Sequence, residues 1–424
     1  MRVYYNVMGT SMKKLKILFI NIFLITNLFV FAETDFENNF LQTYLNVENF
    51  FLKIGGDYGT TFFPFLNTGY GGRQVGFSGA FTAVADDIST LESNPAGTAS
   101  LNFTELFFSH NKLMGDVNYN TIAYTMRFNN LGLGIGTRML YIPFTHYDKF
   151  GIDVGSGIIN YTVITLNGSY NFLKSYDFFG LSVGGNIKLY IYGVPDSIAL
   201  NQSRVNVAFD IGILTKFNFL KAYKKNEKNF SIGLALKNIG PFTDGEPPPT
   251  KISVGLAYKP IEQLLMSVDL DYLINYSELT YKNWSVSSGM EWYFTKYSSL
   301  ILGFVVKSNP SFSLGFNLNF DDFTISAIYN PDFVDLARFS ISASLKLGDL
   351  GRGKNELIIK KMYSVALHLM NSGNYQEAKE ILEKIIEKEP NFSPAKKSLK
   401  NVQRQLDIQD NLNEVIKSQR ELTY

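Results

Sequence analysis

Val205-Asn206-Val207-Ala208-Phe209-Asp210-Ile211-Gly212-Ile213 puts a large apolar residue at every odd position and a polar or small one at nearly every even position. A β-strand repeats every two residues, so this stretch has one greasy and one hydrophilic face. The pattern returns in Phe230-Ile232-Leu234-Leu236 against Ser231-Gly233-Ala235-Lys237, in Phe312-Leu314-Phe316-Leu318 against Ser313-Gly315-Asn317-Asn319, and in Phe339-Ile341-Ala343-Leu345 against Ser340-Ser342-Ser344-Lys346. Working outward, candidate strands fall at 103–111, 117–128, 131–142, 158–172, 178–192, 203–217, 229–239, 250–259, 263–274, 282–294, 299–307, 310–320, 322–330 and 337–347. Most reach the ~9–11 residues that a tilted strand needs to cross a bilayer. The expected fold class is an all-β transmembrane barrel of about fourteen antiparallel strands over 103–347. A soluble sandwich alternates in the same way, so the environment has to be argued separately.

Three features argue for an outer membrane. With Met12 as the start, Lys13, Lys14 and Lys16 form a basic region, Ile17 to Phe31 an apolar one, and Val30-Phe31-Ala32 a small-residue cleavage site, so that 1–32 reads as a signal peptide. The alternative is an uncleaved anchor helix. No other stretch approaches the ~18 uncharged apolar residues of a membrane helix. Composition agrees: cysteine is absent, which excludes disulfides and thiolate metal sites and suits an oxidising periplasm. Tyr141, Tyr161, Tyr190, Tyr192, Tyr258, Tyr272, Tyr293 and Tyr329 lie near expected strand ends, where they could form interfacial girdles. The net charge of +1 argues against a nucleic-acid partner. Charge is also segmented, since 24 of the chain's 77 Asp, Glu, Lys and Arg lie in 348–424, as expected of an embedded body with a water-soluble tail.

Between the leader and the first strand, 33–102 does not alternate. It contains Gly71-Gly72-Arg73-Gln74-Val75-Gly76-Phe77-Ser78-Gly79-Ala80-Phe81, then Ala85-Asp86-Asp87, then Asn94-Pro95-Ala96. This order resembles the N-terminal hatch of the FadL-like outer-membrane long-chain fatty-acid transporters, in particular the spirochaetal UPF0164 branch and the related PorV/PorQ-type proteins, over Thr60 to Leu347. The resemblance implies a fourteen-stranded barrel plugged by the hatch. It also implies passive diffusion of hydrophobic compounds, long-chain fatty acids first, with outer-membrane lipid and such small molecules as partners. The alternative it offers is a PorV-like scaffold or shuttle for a secretion or envelope complex. In the hatch, glycines permit positive φ and close approach, Asp86 and Asp87 can cap a turn or pair with lumen cations, and Asn94-Pro95 sets a turn. The candidate gating residues are Arg73, Gly76, Ser78, Gly79, Asp86, Asp87, Asn94 and Pro95, although these could equally serve only to fold the plug. Phe77 and Phe81 are expected to pack within it, and 33–58 to form a short helix or interfacial segment.

The alternation turns Arg127, Lys188, Arg204, Asp210, Asp269, Asp271 and Glu291 toward the lumen. Arg127, Lys188, Arg204 and Glu291 are the substrate-binding candidates, with a cation holding a carboxylate head. Otherwise these charges pair with one another or with Asp86 and Asp87. An even strand count places both termini in the periplasm and 143–157, 193–202 and 275–281 outside. Pro247-Pro248-Pro249 is assigned to a periplasmic turn that is long for its place.

No nucleophile motif accompanies His110 or His146, no paired His spacing suggests a metal, and Gly132, Gly134 and Gly136 precede no helix. Neither catalytic residue, metal nor cofactor is expected, and the three glycines read as small lumen-facing residues. After a linker at 348–355 the period becomes helical over 356–424. Tyr363 to Ala395 resembles a tetratricopeptide repeat: Ala366 on the first helix, Gly373-Asn374-Tyr375 at the turn, Ala378 and Leu382 on the second helix, Pro390-Asn391 ending it. Met362 and Ile385 depart from the pattern. A helix near 392–420 is expected to cap the pair, because one repeat cannot bury its own core. Tyr363, Ala366, Gly373, Tyr375, Ala378 and Pro390 are the candidate partner-binding residues for a periplasmic protein.

Overall fold

A computed structural model describes residues 63–421 apart from 114–116, 148–149, 175–177, 196–201, 224–226, 275–283, 307–309 and 332–337. The expected signal peptide, segment 33–58 and the 275–281 loop lie outside the described residues, as does the His146 side chain. Fourteen strands close into one antiparallel barrel, β1 pairing with β14. They are β1 (Glu105–Lys112), β2 (Asn118–Phe128), β3 (Leu131–Tyr147), β4 (Asp153–Phe172), β5 (Leu181–Gly193), β6 (Arg204–Phe217), β7 (Phe230–Ile239), β8 (Lys251–Ile261), β9 (Leu264–Leu273), β10 (Trp284–Tyr293), β11 (Ser298–Val306), β12 (Ser311–Asn319), β13 (Phe323–Asn330) and β14 (Arg338–Lys346). Closure removes the unpaired edges that would otherwise be left unsatisfied in hydrocarbon.

The alternation decides which side of the wall each residue takes. In β6, Phe209 and Ile211 are exposed while Ala208, Asp210 and Leu214 are buried. The outward set, with Ile122, Leu166, Ile187 and Ile211 each about half exposed, forms an apolar outer face all round. Only a bilayer satisfies such a surface, because a soluble monomer does not display apolar patches of that extent.

Two expectations about the strand ends need correction. Residues 143–147 and 153–157 are paired rather than a loop, since pairing continues through Pro143↔Ile158 and Thr145↔Ser156. The β3–β4 hairpin, with strands of 17 and 20 residues, therefore stands well clear of the ~9–11 that a bilayer accommodates. Pro247-Pro248-Pro249 also belongs to the opposite end from the one assigned. We call the end where β1 begins and β14 finishes the base, and the other the rim. Odd strands run from base to rim, so the β7–β8 connection can only be at the rim, where Arg204 Nε donates to Asp244 Oδ2 at 2.6 Å and Asn206 donates to Thr243 at 2.6 Å. It is long because it lies among the long rim connections, and no strand was miscounted.

The tyrosine girdle is likewise only partial. Tyr141 and Tyr329 face outward, but Tyr190 and Tyr272 are almost fully buried, and Tyr161 and Tyr192 stack on each other with ring centroids 4.8 Å apart. Strand parity overrides position along the strand: Tyr190 shares the inward face of Lys188, two residues before it.

Ahead of the barrel come two short helices, α1 (Arg73–Gly76) and α2 (Thr90–Ser93), and three more follow β14: α3 (Arg352–Asn371), α4 (Tyr375–Lys388) and α5 (Ser393–Glu421). The helical period begins at Arg352, ahead of the expected 356, and Arg352 ties it to the segment leading into β1 by donating to the Asn102 carbonyl at 2.6 Å. Ala366, Ala378, Leu382, Ile385, Ala395 and Val402 make a closed core. Gly373 turns the chain at φ 79°, and Ile385 is fully buried, so its size does not prevent packing. Tyr363 stacks edge-on against Phe392 at 5.2 Å. Because Ala366 has no exposed surface, Ala366→Leu overpacks the helix contact and should cost about 1–3 kcal/mol. The expected result is protease cleavage within 352–421 while the barrel keeps its resistance to unfolding in detergent. Cleavage of both together would refute an independently packed tail.

Candidate functional site

The described part of the hatch, residues 63–102, lies inside the barrel. It comprises a 3-10 turn at Pro64–Asn67, α1 (Arg73–Gly76), α2 (Thr90–Ser93) and a 3-10 turn at Pro95–Ser100. Its backbone rests directly on the wall at several of the wall glycines. A Cβ at Gly184 would be 2.3 Å from the Pro95 carbonyl oxygen, one at Gly233 would be 2.2 Å from that of Thr82, and one at Gly303 would be 2.3 Å from that of Gly76. These inward-facing wall glycines are therefore the footprint of the hatch. Gly132, Gly134 and Gly136 belong to it, facing Thr98, Leu91 and Tyr70.

Within the hatch, Gly79 turns the chain at φ 91°. Gly76 is helical and serves by closeness, since a Cβ there would meet Ile301 and Ile328 at 2.9 Å. Ser78 shares a hydrogen bond of 2.9 Å with Ser313 of the wall. Phe77 and Phe81 pack edge-on at 5.6 Å, and the Arg73 guanidinium lies over both rings. Asn94 is extended at φ −156°, as the following proline requires, and Pro95 opens the 3-10 turn. The Asn94 amide donates to the Thr82 carbonyl at 2.8 Å and the Ile213 carbonyl at 3.0 Å, and its oxygen accepts from Ala96 N at 3.1 Å. One buried side chain thus ties two hatch segments to β6. Asn94→Ala strands those groups, costing about 1–3 kcal/mol each, and should raise amide exchange over 82–98 at least tenfold without altering exchange in β10–β14. Unchanged exchange in the hatch would remove Asn94 from that role.

Two ion groups hold the hatch. Toward the base, Arg73 donates to Glu291 Oε2 at 2.7 Å, Asp86 Oδ1 at 2.6 Å and Asp87 Oδ2 at 2.9 Å. Asp87 also accepts from Ser89, as a turn cap does. A cavity of about 240 Å³ adjoins this group, bordered by Arg73, Asp86, Asp87, Glu105, Tyr293 and Lys346. Deeper, Glu92 of α2 is fully buried among Arg138 Nη2 at 3.0 Å, Lys188 Nζ at 3.1 Å and Lys237 Nζ at 3.5 Å. Lys188 also pairs with Asp210 at 2.8 Å and donates to Asn238 at 2.9 Å. Lys251 and Asp271 pair at 2.9 Å alongside, and Asp269 accepts from Thr82 N.

Immediately rimward of Arg138 and Lys188 the inward face becomes apolar. Two residues on from each come Leu140 and Tyr190, which form a chamber with Tyr119 and Val163. The hatch fills it: Phe63 lies 4.9 Å from Tyr161 and 5.0 Å from Tyr190, and Phe65 lies 5.5 Å from Tyr119. Arg138 sits under Phe65 at 5.4 Å and donates to the Thr68 carbonyl. The chamber thus has aromatic walls and a cationic floor.

Of the expected lumen residues, Lys188, Asp210, Asp269, Asp271 and Glu291 do face inward and are buried. Arg127 instead lies near the base, donating to the carbonyls of Leu101 and Asn129, and Arg204 lies at the rim. Both sit at strand ends, beyond the stretch in which parity alone decides the environment, so neither reaches the mid-lumen. Asp86 and Asp87 pair with Arg73 of the hatch itself, and with no expected wall cation. The residues missed were Glu92, Arg138 and Lys237. Parity could have found the two cations, since Arg138 follows Gly132-Gly134-Gly136 in phase and Lys237 follows Ser231-Gly233-Ala235. Glu92 lies in a non-periodic segment and carried no signal. His110 faces outward, hydrogen-bonded to Asn120 at 2.8 Å.

A closed barrel with an apolar exterior and a lumen filled by its own chain defines a plugged, membrane-spanning β-barrel protein. The chain belongs to the uncharacterised protein family UPF0164, whose pattern matches residues 53–347. A UPF0164 protein of Treponema pallidum (strain Nichols) is 27% identical over 362 residues, covering 81% of this chain and 83% of that one. Another from the same organism is 33% identical over 178 residues, 40% of this chain and 42% of its own length. Among solved structures, the chain is similar to the Pseudomonas putida toluene transporter TodX at 12% identity and a TM-score of 0.46, covering 65% of this chain and 96% of that one. The Acinetobacter baumannii outer membrane protein Omp33 scores 0.35 at 8% identity, covering 58% and 98%.

Proposed function

We propose that the protein lets hydrophobic compounds, long-chain fatty acids among them, diffuse across an outer membrane past a hatch that moves. The observation that carries this reading is the apolar chamber of Tyr119, Leu140, Val163 and Tyr190 directly rimward of the lumen cations. An apolar cargo gains burial against such a lining. The hatch meets the wall through glycine contacts, apolar packing, hydrogen bonds and ion groups, and the polar links among them can exchange partners. The test is uptake of labelled oleate by proteoliposomes. Uptake that persists after removal of 355–424 supports transport.

A second reading, an envelope scaffold, is favoured by the tail. Ile408, Leu412, Val415 and Ile416 of α5 are 41–57% exposed at helical spacing, as on a docking face for a periplasmic partner. Absence of uptake together with a stable partner retained by 352–421 supports that reading instead.

A further inference from the structure

We propose that Arg138, Lys188 and Lys237 form a carboxylate-binding site whose resident occupant is the protein's own Glu92, and that an anionic amphiphile enters by exchange for it. The inference rests on the transport reading and adds where the carboxylate head of such a cargo is held and which group of the hatch it displaces.

The geometry is that of a ligand site already occupied. Glu92 Oε2 lies 3.0 Å from Arg138 and 3.1 Å from Lys188, with Lys237 3.5 Å from the other oxygen. Lys237 also donates to the Glu92 carbonyl at 3.1 Å. Arg138, Lys188 and Glu92 are almost wholly out of solvent. The Arg138 Nε makes no hydrogen bond among the described residues, leaving a spare donor in the nest. Asp210 is the other anion paired within it, so three cations face two carboxylates, one of them supplied by a movable element. Directly rimward, the chamber is filled by Phe63, Phe65 and Leu66. The hatch therefore presents to the wall what an amphiphilic carboxylate would present, with apolar groups in the chamber and an anion on its floor.

Buried charge explains why a resident is needed. Three cations with one anion in a dry lumen would carry an uncompensated charge, which is strongly unfavourable. An incoming carboxylate restores the balance when Glu92 leaves, and a neutral chain of the same length does not. Charge-assisted hydrogen bonds make that difference worth about tenfold or more in affinity.

The experiment uses the full chain in non-ionic detergent, with labelled oleate and oleyl alcohol measured by equilibrium dialysis. Glu92→Gln removes the competing charge. Oleate should bind about tenfold more tightly than to the unsubstituted protein, while oleyl alcohol shifts less than twofold. Adding Lys237→Met should abolish the gain. Equal gains for both probes mean a merely loosened hatch and overturn the proposal, as does an unchanged oleate affinity. If Glu92→Gln does not fold, Lys237→Met alone decides, because it should weaken oleate and spare the alcohol; equal effects on the two overturn the site. Binding of neither probe by the unsubstituted protein overturns the transport reading and this site with it. Tight alcohol binding without discrimination overturns the site alone.

Discussion

Lys188→Met should cost about 3–5 kcal/mol and release the hatch, because the ammonium it removes is shared by two buried carboxylates. Lys188 is 3.1 Å from Glu92 and 2.8 Å from Asp210, and all three side chains are essentially inaccessible. Methionine fills similar volume but leaves Asp210 with hydrogen bonds and no cation. The comparison that isolates burial is Arg204→Met, which breaks the rim pair with Asp244, where the two side chains are 31% and 57% exposed. Such a pair is worth about 0–1 kcal/mol. The measurement is proteolysis of the hatch and the thermal midpoint of the purified barrel in detergent. Lys188→Met should show rapid cleavage between 63 and 102 and a much lower midpoint, and Arg204→Met neither. Equal effects from the two would mean that the lumen cluster is solvated and is no lock.

Gly184→Val with Gly212→Val should convert the plugged barrel into a conducting one. Added Cβ atoms would lie 2.3 Å from the Pro95 carbonyl oxygen and 2.1 Å from Asn94 Oδ1, and what they meet at Gly184 is backbone, which cannot swing aside. Overpacking of this kind costs about 1–3 kcal/mol per site. The cost falls on the interface between hatch and wall, since valine itself suits a strand. In planar bilayers the variant should pass ions at least tenfold more often than the unsubstituted protein. Gly168→Val is the control, as its Cβ would point into open space on the outer face. A silent double variant would show that the hatch yields locally and stays seated; a conducting Gly168→Val would show that any added bulk in the wall suffices.

How much of this was legible beforehand follows from where periodicity operates. The fourteen strands near 103–347 were readable because most inward residues are polar or small and most outward ones apolar, a contrast that membrane and lumen impose together. Within strands the same rule placed Lys188, Asp210 and Glu291 correctly. It failed at Arg127 and Arg204, which lie where strands end, and the tyrosines were misplaced when position along the strand was preferred to parity. The β3–β4 hairpin was read as too short because Pro143, Gly151, Gly155 and Gly157 signal a loop locally, while the pairing that carries it on is between strands. In the hatch, Asn94-Pro95 announced its own turn through local backbone sterics. Glu92 announced nothing, because its importance comes from three strands that converge on it from Arg138, Lys188 and Lys237.

The sequence by itself determined a two-faced wall, its strand number, the turn before Pro95 and the change to a helical period in the tail, all of which depend on residues close together in the chain. Only the tertiary structure decided that the wall glycines are the seat of the hatch, that Glu92 occupies a nest of cations, and that the nest forms the floor of an aromatic chamber. Those contacts join residues from about 35 to 230 positions apart, and no local pattern encodes which of them meet until closure of the barrel brings them together.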